Sequence, residues 1–271
     1  MLKLAHLSVI RLNGADAGSF LHSQLSADVL ALANGDSTFA CYCEPKGRVL
    51  ALMLVQKVDE AYLLIISSKL ATAVIERLKI YRMRSKVEFE VMDEHMISGL
   101  LEGDAPELAF AHAYTVRIPG SEERFAVTPG DITQGSDIDL QRDWKVSELS
   151  RGITWLSPET SGQFLPQMLG FESLGAVNYQ KGCYPGQEIV ARTHYLGKVK
   201  RHPRLLNCKL AHHPKPMDKI KIFDDNLAHD AVIADCETAA DGTLCLLAVT
   251  RMQPDLTALR IEYLDEVAAV I

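Results

Sequence analysis

The chain has 271 residues, 48% hydrophobic and 23% charged, with a net charge of −7. That length exceeds what one compact core usually covers, so two or three domains are expected. The acidic balance argues against a general nucleic-acid binder, and no apolar run reaches the roughly 18 residues of a membrane span. The opening segment MLKLAHLSVIRLNG has no long apolar core and no small-residue cleavage site, so it reads as a first strand and the protein is expected in the cytoplasm.

In chain order, LSVIRLNG reads as a strand ending in an Asn13-Gly14 turn. DAGSFLHSQLSADVL reads as helix, with Asp16 as N-cap and Phe20, Leu21 and Leu25 on one face. STFACYCEPKGRVLALMLVQKV makes two strands around the turn Glu44-Pro45-Lys46-Gly47, and AYLLIIS is a further buried strand. SKLATAVIERLKIYRM is a helix carrying Leu70, Val74 and Leu78 inward, and KVEFEVMD alternates as a strand. Strands interleaved with one helix make an α+β layer.

MISGLLEG, YTVRIPG and RFAVTPG read as short strands, and SDIDLQRDWKVSELSRGI as a helix with Leu140, Trp144 and Leu149 inward. The stretch from Thr160 to Arg192 is rich in Gly, Pro and Gln. Irregular segments of that length usually carry function. After Pro203 come five short strands, RLLNCKL, DKIKIFDD, DAVIADCET, GTLCLLAVT and ALRIEYL, separated by turns such as Asp224-Asp225-Asn226 and Asp241-Gly242. Even spacing and hairpin turns predict a small antiparallel barrel.

The common phosphate loops, the H-E-x-x-H zinc motif and the G-x-S-x-G elbow are absent. Of six cysteines, Cys41 and Cys43 lie in an alternating strand, and Cys208, Cys236 and Cys245 lie among apolar residues. No pair has metal-site spacing, and no metal site is expected.

Cys183 differs. It stands in KGCYPGQEIVAR, residues 181–192, between glycines and beside charges. Only a thiolate is a good nucleophile or metal ligand, and nearby cations favour it. Lys181 lies two residues upstream, Pro185-Gly186 suits the centre of a tight turn, and QEIVAR can open a helix there. Gly182 and Gly186 permit close approach of a ligand or of another backbone. Gln187, Glu188 and Arg192 supply an amide, a carboxylate and a guanidinium, although Glu188 and Arg192 at i and i+4 also suit a simple helix clip. From Lys181 to Arg204 six basic residues (Lys181, Arg192, Lys198, Lys200, Arg201, Arg204) face one acid, Glu188. That patch reads as a solvated face or as a site for an anionic ligand.

KGCYPGQE closely resembles the signature K-G-C-[FY]-x-G-Q-E of the YgfZ-type folate-binding proteins, relatives of the glycine-cleavage T-protein (aminomethyltransferase) and of a mitochondrial iron–sulfur assembly factor. LNGADAGSFLHSQLSADV, CEPKGRVLALMLV, RSKVEFEV and the run from Gly162 to Arg201 resemble further family segments, so residues 1–93 and 144–203 carry the likeness. The resemblance implies an α+β fold of three modules in a ring: a T-protein-like module from 1–43 plus 111–203, a ferredoxin-like layer at 44–110, and a C-terminal β-barrel at 204–271. It implies tetrahydrofolate or another folate as ligand. Trp144 matches a folate-associated tryptophan, and a core tryptophan on an amphipathic helix is the other reading of that position. Lys181, Gly182, Tyr184, Gly186, Gln187, Glu188 and Arg192 fall in the signature as ligand-contact candidates, with Cys183 as the active thiol.

Three positions depart from the T-protein pattern. The strand residues Arg48-Val49-Leu50-Ala51-Leu52 lack the T-protein's aspartate, Ser150 replaces a pterin-binding glutamate, and Leu7 replaces an aromatic. The missing acid argues against aminomethyl transfer. The expected role is therefore assistance to iron–sulfur cluster assembly or repair in client enzymes, including radical enzymes that modify tRNA, without direct nucleic-acid binding. The rivals are a folate-dependent one-carbon transferase and a non-catalytic adaptor.

Overall fold

The computed structural model describes residues 2–100, 113–129, 137–197, 199–224, 227–251, 259–264 and 266–271. Among these, three antiparallel sheets and four helices form the α+β architecture expected from the sequence.

The first sheet is built from β2 (Leu7–Asn13), β3 (Ser37–Cys43), β4 (Val49–Val58), β5 (Ala61–Ser67) and β6 (Glu88–Val91), in the order β3-β4-β5-β2-β6; a short β1 (Leu2–Lys3) precedes them in the chain. β5 lies in the middle, with α1 (Ala17–Gln24) and α2 (Ser68–Arg82) packed on the sheet. All seven β5 residues are buried, which explains why it reads as a continuous apolar run. α2 buries Leu70, Val74 and Leu78, as its period requires. The expected boundary at 43/44 falls in the β3–β4 hairpin turn, whose strands pair from Ser37–Gln56 to Cys43–Val49.

The second sheet, β1-β7-β9-β8, is formed by β7 (His95–Leu100), β8 (Tyr114–Arg117) and β9 (Arg124–Pro129) with β1. These are the strands expected from MISGLLEG, YTVRIPG and RFAVTPG, although 101–103 and 130 lie outside the described residues. α3 (Ile138–Ser150) buries Trp144 and Leu149. Leu140, expected inward, is exposed, because only the later part of α3 meets the core.

The third sheet holds β10 (His202–Cys208), β11 (Lys219–Asp224), β12 (Leu227–Thr238), β13 (Leu244–Thr250), β14 (Leu259–Tyr263) and β15 (Glu266–Ala269), in the order β10-β13-β12-β11-β14-β15. β15 was not among the five strands expected. The predicted Asp225-Asn226 turn residues lie outside the described residues. The sheet curls back on itself, and Ile271 N–H donates to the Asn207 carbonyl at 2.8 Å. Its interior is a separate apolar cluster centred on Ile222, Ile233, Leu246 and Ile261. The opposite face, with Ala234, Cys245, Leu247 and Val249, joins the main core.

Asp16 precedes α1 but does not cap it through its side chain; it accepts instead from the Lys86 N–H at 2.7 Å. α1 stops at Gln24, and Asp28 caps a separate single turn at Val29–Ala31.

Candidate functional site

The Cys183 loop is anchored from its first residue. Ser26 is fully buried; its hydroxyl donates to the Ala176 carbonyl at 2.5 Å and accepts from the Cys41 N–H at 2.8 Å. The Asn178 N–H then donates to the Ser26 carbonyl at 2.9 Å. Asn178 Oδ1 accepts from the N–H groups of Gln180 (2.8 Å) and Lys181 (3.1 Å), an Asx turn that aims Lys181 back into the protein.

Lys181 is buried. Its ammonium donates to the carbonyls of His22 and, at 2.6 Å, Leu25, and it lies 5.2 Å from the centre of the Tyr184 ring. The acceptors belong to the C-terminal end of α1, where unpaired carbonyls favour a cation. Burial pulls its pKa down to about 8, against the opposing pull of Asp28 and of the Cys183 sulfur. Lys181 is thus the clasp between α1 and the loop, not part of a surface patch.

Cys183 itself is exposed. The chain then turns through Pro185-Gly186, and the Gln187 N–H closes the turn on the Tyr184 carbonyl at 3.2 Å. Gly186 takes φ +83°, as the sequence requires, and leads into α4 (Gln187–Tyr195). A Cβ on Gly186 would lie 2.4 Å from the Glu44 carbonyl oxygen and 2.6 Å from Gly47 Cα. The loop therefore sits backbone against backbone on the β3–β4 turn, and the two glycine-bearing motifs KGCYPG and EPKG meet.

The remaining signature residues take different parts. Gln187 Nε2 donates to the Lys181 carbonyl at 3.3 Å and holds the loop closed. Tyr184 is buried, and burial pushes its hydroxyl well above the ordinary tyrosine range. Glu188 and Arg192 pair at 2.6 Å on the exposed face of α4. Such surface pairs contribute about 0–1 kcal/mol. Arg192 is thus occupied and Lys181 is buried, while Lys198 lies outside the described residues; the expected basic patch shrinks accordingly.

Trp144 lies elsewhere. Its ring covers Gly99, where a Cβ would come within 2.5 Å of the indole, and it packs 5.9 Å from Phe125. Its N–H donates to Glu148 Oε1 at 3.1 Å, and Glu148, fully buried, also lies 3.2 Å from His6 Nε2. Of the two readings of this position, the buried indole matches the core tryptophan, since Gly99 leaves a hollow that the ring fills.

Two features escaped the sequence reading. After α3, Thr154 Oγ1 and Trp155 Nε1 are buried and have no hydrogen-bond partner among the described residues. Beside α4, the Tyr179 hydroxyl donates to Glu172, His194 Nδ1 lies 2.7 Å from the same carboxylate, and the Tyr179 and His194 rings stack at 3.9 Å. Gln167 Nε2 ties this group to the Tyr179 hydroxyl and the Val190 carbonyl, both at 3.0 Å. No local period marks such residues; only the polar richness of the irregular segment hinted at them.

Of the six cysteines only Cys183 is exposed; Cys41, Cys43, Cys208 and Cys245 are buried, and burial raises the Cys41 thiol to about 12 and pushes Cys43 well above the ordinary thiol range.

No family model matches the chain. Individual relatives do. An uncharacterized protein of Haemophilus influenzae is 30% identical over 202 residues, spanning 74% of this chain and 70% of that one. The tRNA-modifying protein YgfZ of Colwellia psychrerythraea is 26% identical over an alignment of 285 positions, spanning 96% of this chain and 88% of that one. Among solved structures, the glycine cleavage system aminomethyltransferase T from Bartonella henselae superposes with a TM-score of 0.65 over 99% of this chain and 83% of that one, at 14% identity, a likeness of fold. With the anchored KGCYPGQE loop and this match along nearly the whole chain, the protein is YgfZ-like, on the aminomethyltransferase fold.

Proposed function

We propose that this chain is a folate-binding protein that assists iron–sulfur cluster assembly or repair in client enzymes, including enzymes that modify tRNA, with Cys183 as the working thiol. One observation carries the reading: the exposed thiol stands on a loop clasped by Lys181, Gln187 and the Gly186–Gly47 contact. A group that only filled space would not need an exposed position on so rigid a mount. A single thiol cannot hold a cluster that takes four ligands. Cys183 therefore acts on a cluster or sulfur cargo whose other ligands come from the client or from small thiols.

The chain's residues fit a folate in part. Thr154 and Trp155 offer two buried polar groups, without a partner among the described residues, of the kind a pterin edge satisfies. They lie next to the Arg151-Gly152 turn, where the T-protein resemblance puts the pterin. Trp144 is buried at 5% exposure, between Gly99 and Phe125. The β4 residues Val49, Leu50, Ala51 and Leu52 provide no carboxylate for acid–base work, which disfavours one-carbon transfer.

Complementation tests the proposal. Wild type and Cys183→Ala are placed in a bacterium lacking its own YgfZ-type protein, and a cluster-dependent tRNA thiolation is measured. The expected result is restoration by wild type alone at equal protein abundance. Restoration by both makes the thiol incidental and turns the reading towards an adaptor. Tetrahydrofolate titration, with Thr154→Val as the variant, tests the ligand separately.

A further inference from the structure

The C-terminal barrel carries a feature that the Cys183 loop does not use. An open cleft of 670 Å³ lies at one end of the sheet. Among the described residues, Arg201, Lys219, His229, Asp230 and Arg251 line it, over an apolar floor that includes Val249. Its volume falls within the span of small-molecule sites, about 300–1,000 Å³.

Strand register concentrates the charge. His202 pairs with Thr250 at the end of the β10–β13 ladder. Arg201 comes just before His202 and Arg251 just after Thr250, so the two guanidinium residues leave the ladder at the same end, and both line the cleft. Lys219 enters from the next strands, in the row Lys219–Val232–Val249. Among the described residues none of these three cations has a salt bridge, whereas Lys221 on the same strand pairs with Glu262 at 3.8 Å. His229 Nε2 is buried without a hydrogen-bond partner among the described residues. One carboxylate, Asp230, opposes three cations, in a protein whose net charge is −7.

Three cations that line one cleft with no salt bridge among the described residues are an arrangement that an anion relieves. Guanidinium forks match the oxygens of a phosphate, and a half-buried imidazole adds a short-range contact. We propose that this cleft binds a small, multiply charged phosphate compound of about nucleotide size, with Arg201 and Arg251 gripping the phosphates, Lys219 adding charge and His229 fixing orientation. This proposal is independent of the folate reading.

Calorimetric titration of the full chain with inorganic pyrophosphate tests it. Saturable one-to-one binding is expected. Arg201→Gln or Arg251→Gln should weaken it about tenfold to a hundredfold, the usual worth of a charge-assisted hydrogen bond. Lys209→Gln, on an exposed position of the same barrel, should bind like wild type. Circular dichroism and Tm confirm that each variant is folded, and Lys219→Gln gives the same readout should an arginine variant fail to fold. Absence of saturable heat up to millimolar pyrophosphate overturns the proposal, as does wild-type affinity in the cation variants. Tight binding of a 20-nucleotide single strand through these residues, with no saturation by pyrophosphate, also overturns it and marks a nucleic-acid surface instead.

Discussion

Replacing Gly186 by alanine tests whether the thiol loop rests on the β3–β4 turn. Two costs add. A non-glycine residue at φ +83° pays roughly 1–2 kcal/mol for the left-handed conformation. The new Cβ would also stand 2.4 Å from the Glu44 carbonyl oxygen, 2.6 Å from Gly47 Cα and 2.7 Å from Gly47 N. These are backbone atoms, so no side chain can swing away. Overpacking of this kind costs about 1–3 kcal/mol. The sum, roughly 2–5 kcal/mol, should lower Tm by roughly 5–15 °C in a chain of this size. Urea unfolding followed by circular dichroism gives the stability change. The same variant should lose complementation at a temperature where it is still folded, because Cys183 is displaced with the turn. A stability within 0.5 kcal/mol of wild type would refute the close approach, and the account of the loop with it.

Three further outcomes are expected. Lys181 has a folded-state pKa below its ordinary 10.5, so its burial cost is present in full below about pH 8 and fades as pH rises towards 10.5. Wild type should therefore gain stability relative to Lys181→Met between pH 7 and 10 in paired urea titrations, and a flat difference would show that the amine is not desolvated. Trp144→Phe removes the N–H that Glu148 Oε1 accepts at 3.1 Å and should cost about 1–3 kcal/mol, with tetrahydrofolate affinity unchanged. A tenfold loss of affinity at unchanged stability would mean that the indole meets the ligand after all. In native protein, iodoacetamide at pH 8 should modify Cys183 first and reach Cys41 and Cys43 only on unfolding, as read by peptide mass spectrometry; equal rates would contradict the buried placement of β3.

Much of this protein follows from local pattern. Alternation marks β3 and β6, evenly spaced turns mark the barrel strands, a three-to-four period marks α2, and Pro185-Gly186 marks a turn whose glycine does take φ +83°. Those features depend on neighbours a few residues apart, which any reader of the chain can see. The parts that distinguish this site come from contacts across the fold. Lys181 looks like a surface cation until α1, some 156 residues earlier, supplies the Leu25 carbonyl. Trp144 looks like a ligand platform until Gly99 opens a hollow for it. Leu140 has the right spacing to be buried, yet it is exposed among the described residues. Arg201 and Arg251 gain meaning only from the pairing of His202 with Thr250, which brings their two chain segments to the same end of the sheet. Sequence by itself determined the elements, the turn and the family likeness, because these are written in short-range spacing. Tertiary structure alone decided which charges are buried, paired or left facing a cleft, because burial is a property of what the rest of the chain places around a residue.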